Sequence, residues 1–128
     1  MNRITHIKIF NDILDQFFSY MKDEFECFRS DIILKQSAIE FVRKGNPRLV
    51  VEQFMKYISP YSKEIMECNE DFFLNFENTM GLKKESLLIG LELKNLWLNN
   101  TNPENIMRQK ATIFFYFQKM LKCASKIN

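Results

Sequence analysis

The stretch RKGNPRLVVEQFMKYISP, Arg43–Pro60, decides the fold. Gly45 follows the basic pair Arg43–Lys44, where a helix C-terminus favours positive charge and then a left-handed residue. Asn46 is a natural N-cap. Pro47 suits the first helical position, where a missing N–H leaves nothing unsatisfied. Leu49, Val50, Phe54 and Ile58 then return to one face at helical spacing, and Pro60 resets the chain direction. One helix ends here, and the next is started and stopped by residues chemically suited to each job.

Working upstream, the spacing predicts a helix over Asp31–Lys44, capped by Ser30, with Ile33, Leu34, Ala38, Phe41 and Val42 as its apolar set. Before it, a helix is expected from about Asn2 or Thr5 to about Cys27. Its stripe is Ile7, Phe10, Leu14, Phe17, Met21 and Phe28, widened by Ile9, Ile13 and Tyr20 so that it meets neighbours on two sides. Downstream, a short helix carries Tyr61, Ile65 and Met66, and a looser stretch runs from Asn69 to Lys83. In NEDFFL, Asn69–Leu74, the adjacent Phe72 and Phe73 diverge by about 100° if helical, so one enters the core while the other covers a neighbour or a partner. A further helix over about Lys84–Leu98 holds Leu87, Leu88, Leu91 and the only tryptophan, Trp97. NTNPEN repeats the Asn-cap and Pro-start device at Asn102 and Pro103. The last helix, to about Ser125, faces inward with Ile106, Ile113, Phe117, Leu121 and Ala124.

The expected architecture is therefore an all-α, single-domain compact bundle of about five to six helices over residues 1–128. Composition agrees. With 46% hydrophobic residues the chain has ample core material, and three glycines and three prolines are too few for the turns of a sheet protein.

Several classes of function are set aside by what the sequence lacks. Asp12 and Asp15 interrupt the apolar pattern of the N-terminus, which is therefore not read as a signal peptide, and no apolar run suits a membrane span. Cys27, Cys68 and Cys123 are odd in number and widely spaced, implying free thiols in a reducing compartment. The three glycines are isolated, which excludes phosphate-cradling loops of the glycine-rich type. His6, the only histidine, has no metal-binding or catalytic partner at a useful spacing and reads as a surface residue. Glu64, Glu67, Glu70 and Asp71 form the densest carboxylate cluster, and Glu64, Glu67 and Asp71 share one face if the short helix continues that far. A solvated acidic face explains them better than a weak divalent-cation site, so no cofactor, metal or catalytic residue is expected.

Charge is uneven along the chain. Residues 45–81 carry three basic against six acidic residues, whereas residues 82–128 carry eight against three. Lys119, Lys122 and Lys126 make a basic stripe opposite the Phe117–Leu121 face of the last helix, a candidate contact for nucleic-acid phosphates. No aromatic is evident outside the core to stack on bases.

NPRLVVEQFMKYISPYSKEIMECNEDFFL, together with a Trp-bearing helix and the final ATIFFYFQKMLKCA, resembles small uncharacterised helical proteins of large nucleo-cytoplasmic DNA viruses. Asn46–Pro47, Pro60–Tyr61, Lys63, Ile65, Asp71 and Phe72–Phe73 carry the likeness. Phe114 and Phe115 stand where that family's final helix carries a tryptophan before its aromatic run. The resemblance implies a viral origin and an infected-cell cytoplasmic or virion location, and it transfers no catalytic residue.

The expected function is a non-enzymatic helical interaction protein acting on a protein partner or on further copies of itself, without membrane or small-molecule substrate. Phe73, Phe76, Met80 and Trp97 are the candidate partner-facing residues. The alternative is a nucleic-acid-associated protein using Lys119, Lys122 and Lys126.

Overall fold

A computed structural model describes residues 3–70, 72 and 102–127. Among them it contains five α-helices and no strand: α1 (Arg3–Glu24), α2 (Arg29–Gly45), α3 (Pro47–Ile58), α4 (Ser62–Met66) and α5 (Pro103–Ser125). The protein is all-α. The helix expected over Lys84–Leu98 lies outside the described residues, as do Asp71, Phe73, Phe76, Met80 and Trp97.

α1 and α5 are the long elements, at 22 and 23 residues, and they run antiparallel. At one end Arg3 Nε donates to the Ile127 carbonyl (3.0 Å) and Cys123 Sγ to that of His6 (3.2 Å). At the other end Arg108 meets Glu24. The expected stripe of α1 is buried at Phe10, Leu14, Phe17 and Met21, and Ile13 joins it. α1 stops at Glu24, earlier than the spacing suggests. Phe25 leaves helical geometry (φ −118°, ψ 67°) and buries its ring, and a 3₁₀ turn, Glu26–Phe28, leads on.

The punctuation around α3 is as expected at Asn46, which is extended and whose Oδ1 accepts from the Leu49 N–H (3.3 Å), with Pro47 directly behind. Val50, Phe54 and Ile58 are buried, and Val51 joins them. α5 repeats the device, Asn102 Oδ1 accepting from the Asn105 N–H at 3.1 Å. Two other terminal expectations fail. Ser30 lies inside the first turn of α2, whose N-cap is Phe28 without a side-chain bond. Gly45 is the last helical residue and takes no left-handed conformation. Asn46, extended in order to cap α3, itself closes α2 by donating its N–H to the Val42 carbonyl (2.9 Å).

The inward face of α2 is not the one its apolar spacing predicts. Ile32 and Ile39 are 1% exposed, whereas Ile33, Leu34 and Phe41 are 43%, 69% and 82% exposed, and Ala38 is exposed as well. Of the expected apolar set only Val42 packs on the core. The cause is polar. Gln36 and Arg43 share the side of Ile32 and Ile39, and each finds a partner on α1. Lys22 Nζ donates to Gln36 Oε1 (2.9 Å). Arg43 donates to Asp15 (2.8 Å) and to both the carbonyl and side-chain oxygens of the buried Asn11 (3.3 Å each), while also pairing with Glu40. An arginine this enclosed, with these acceptors, fixes the rotation of α2 about its own axis.

Phe117 of α5 is the hub of the core. Its ring lies 5.4 Å from Phe17 of α1, 6.2 Å from Phe54 of α3 and 5.7 Å from Phe72. Phe72 is buried and also touches Tyr61 and Phe114, so the first ring of NEDFFL is a core anchor for this part of the chain. Its backbone N–H donates to the Asn69 carbonyl at 3.1 Å.

Candidate interaction faces

The first candidate face is the outer side of α2. Leu34, Ala38 and Phe41 follow one another at four and three residues, a continuous ridge along one helix side, with Ile33 beside it. Ala38 sits between two large side chains and leaves a notch. The exposed Asp31 and Lys44 and the half-buried Lys35 and Glu40 surround the ridge with both signs of charge. Fully burying a leucine or phenylalanine side chain stabilises by roughly 1.5–3 kcal/mol. In the isolated chain α2 realises little of this for three of its largest apolar residues.

The second candidate face is on α5. Lys122 and Lys126 are exposed, and Lys119 is half-buried with its ammonium 5.0 Å from the Phe115 ring centre and 5.9 Å from that of Tyr116. Phe115 is 54% exposed, so an aromatic does stand outside the core, against expectation. The signal was in IFFYF, Ile113–Phe117. Five consecutive large apolar or aromatic residues sweep more than a full turn of a helix, so at least one must face away from any single core. Phe115 meets Tyr116 edge-on at 5.8 Å, and Tyr116 meets Tyr20 of α1 at 5.8 Å.

Beneath that aromatic group, Glu24 joins the end of α1 to the start of α5. Its Oε1 accepts from Arg108 and from Gln109 Nε2 (3.2 Å), and Arg108 also donates to Asn105. The Arg108 bond holds the Glu24 carboxyl below its ordinary value of 4.5, and the bond from Gln109 acts the same way, against the effect of burial. Burial pushes the Tyr20 phenol above 10.0 and the Cys123 thiol above 9.0. Cys123 is buried while Cys27 and Cys68 are exposed, and all three thiols are free.

Of the acidic group, Glu64 is half-buried and Glu67 exposed, while Asp71 lies outside the described residues. Among the described residues no three His, Cys, Asp or Glu side chains converge on a point that holds a metal. His6 is half-buried, with its carbonyl engaged by Cys123. Among the described residues no helix is long and apolar enough to cross a membrane.

No family model, curated protein or solved structure matches the chain.

Proposed function

We propose that the protein is a non-enzymatic helical interaction protein, and that the outer ridge of α2 is its principal contact. The observation that carries this reading is Phe41, 82% exposed in line with Leu34 and Ala38 on a well-formed helix. Large apolar side chains aligned on one exposed face mark contact sites, where scattered single ones do not. A residue spacing of four and three with a small residue at the centre suits an amphipathic helix of a partner, which would lay its own ridge across Ala38 between Leu34 and Phe41. The mixed charges around the ridge favour a partner helix of mixed charge over a strongly acidic or basic one. The viral resemblance of Asn46–Leu74 supports a setting in the cytoplasm of a cell infected by a large DNA virus.

The test is affinity capture with the wild-type chain and with the double variant Leu34→Ser/Phe41→Ser. Both side chains point away from the core, so the variant should melt within about 0.5 kcal/mol of wild type. It should also lose the captured protein at least tenfold, since one well-buried anchor contributes about 2 kcal/mol or more to such an interface. Undiminished capture by the variant overturns the reading.

A further inference from the structure

We infer that the outer face of α5 binds single-stranded nucleic acid, with Phe115 as a stacking platform and Lys119, Lys122 and Lys126 as phosphate contacts. Three observations converge. The lysines lie at three- and four-residue intervals, which a helical rise of about 1.5 Å per residue turns into steps of roughly 4.5 and 6 Å. Such steps are on the scale of the phosphate repeat of a single strand.

The aromatic ring is the second observation. A stripe of lysines alone attracts any polyanion, but Phe115 adds a half-exposed face in line with it, and bases stack on such rings whatever their identity. Lys119 already lies over that ring and over Tyr116, so one cation and two aromatic rings form a single cluster. This is the combination by which single strands are held without sequence preference.

The third observation is the space beside the ring. An open and mostly apolar groove of about 390 Å³ borders Phe115, with Met107, Ala111 and Gln118 of α5 and Cys68 among its walls. A flat base has room to lie there against Phe115. Glu70, the acid on that groove, is paired with Lys110 at 2.7 Å, which offsets its repulsion of a phosphate. A duplex is the poorer fit, because its bases are stacked on one another and present no face to Phe115.

This site is on a different helix from the α2 ridge, and α1 packs against both helices. The two proposals therefore fail independently. The experiment is fluorescence anisotropy of the full chain with labelled oligo-uridine and oligo-thymidine at 50 mM salt and above, with the matching duplex and with heparin as competitor. Three phosphate contacts predict a slope of log affinity against log salt of about −2. Replacing Phe115 by leucine keeps an apolar side chain but removes the ring, and should weaken single-strand binding by about tenfold. Replacing all three lysines by glutamine should abolish it, with unfolding temperatures unchanged. Absence of wild-type binding at 50 mM salt overturns the proposal. So does equal binding of the duplex, or a Phe115→Leu variant that binds as well as wild type, since either result reduces the face to a bare polyanion contact.

Discussion

At the scale of single residues, Cys68 shows how a local conformation can be at odds with its side chain. It has φ +54°, the left-handed region, and it follows α4. Its N–H donates to the Ile65 carbonyl (3.2 Å), and the next N–H, of Asn69, donates to that of Glu64 (2.8 Å). This is the Schellman pattern that closes a helix, and the residue in that position is ordinarily glycine. A side chain there costs about 1–2 kcal/mol, part of which a glycine gives back through the freedom it adds to the unfolded chain. Cys68→Gly should therefore stabilise the fold by roughly 1 kcal/mol, seen as a higher midpoint in chemical denaturation. The weak contact its sulfur accepts from Gln118 (3.4 Å) is the only counterweight among its described hydrogen bonds. An unchanged or lower midpoint would show that this contact matters more than the backbone.

At the scale of elements, the joint between α1 and α5 has a pH dependence with a definite sign. The Arg108 bond lowers the Glu24 carboxyl in the folded chain, so the ionised form is favoured by folding. Its contribution is full above the ordinary value of 4.5 and fades as pH falls through the lower folded-state value. Stability measured by denaturation should drop with acidification below about pH 4.5. Glu24→Gln should be less stable than wild type at neutral pH and show a shallower acid decline. Parallel declines in the two proteins would mean that other carboxylates carry the acid limb. The helix starts at Asn46–Pro47 and Asn102–Pro103 were legible because capping is local chemistry, set by a side-chain oxygen within three residues of its donor. The end of α1 was not legible, because Phe25 leaves helical geometry with its ring buried beside Tyr20 (6.4 Å), and the apolar spacing runs on past that break.

At the scale of the whole molecule, Phe117 touches rings from α1, α3 and the segment at Phe72, so its removal is felt at all three at once. Phe117→Ala should cost about 3–5 kcal/mol, from lost burial and the cavity left behind. Against a total stability of about 5–15 kcal/mol that is a large fraction, and a partly folded protein at 37 °C is the expected outcome by circular dichroism. A loss under 1 kcal/mol would show that the core closes over the gap.

The sequence by itself determined the all-helical class, the starts of α3 and α5, and most core positions of α1, α3 and α5, although Leu49 of α3 stays outside the core and Phe114 and Met120 of α5 enter it unannounced. Each feature it determined follows from spacing, composition or a cap, and none needs knowledge of a neighbour. The basic stripe of α5 was legible for the same reason. Only the tertiary structure decided how α2 turns about its axis. α2 carries apolar residues on two sides, and periodicity cannot choose between Ile32–Ile39 and Leu34–Phe41. The choice was made by Asp15, Asn11 and Lys22 of α1, which receive Arg43 and Gln36 and so bring their side of α2 inward. The ridge that results is an outcome of polar pairing between helices. The apolar pattern within α2 alone does not choose it.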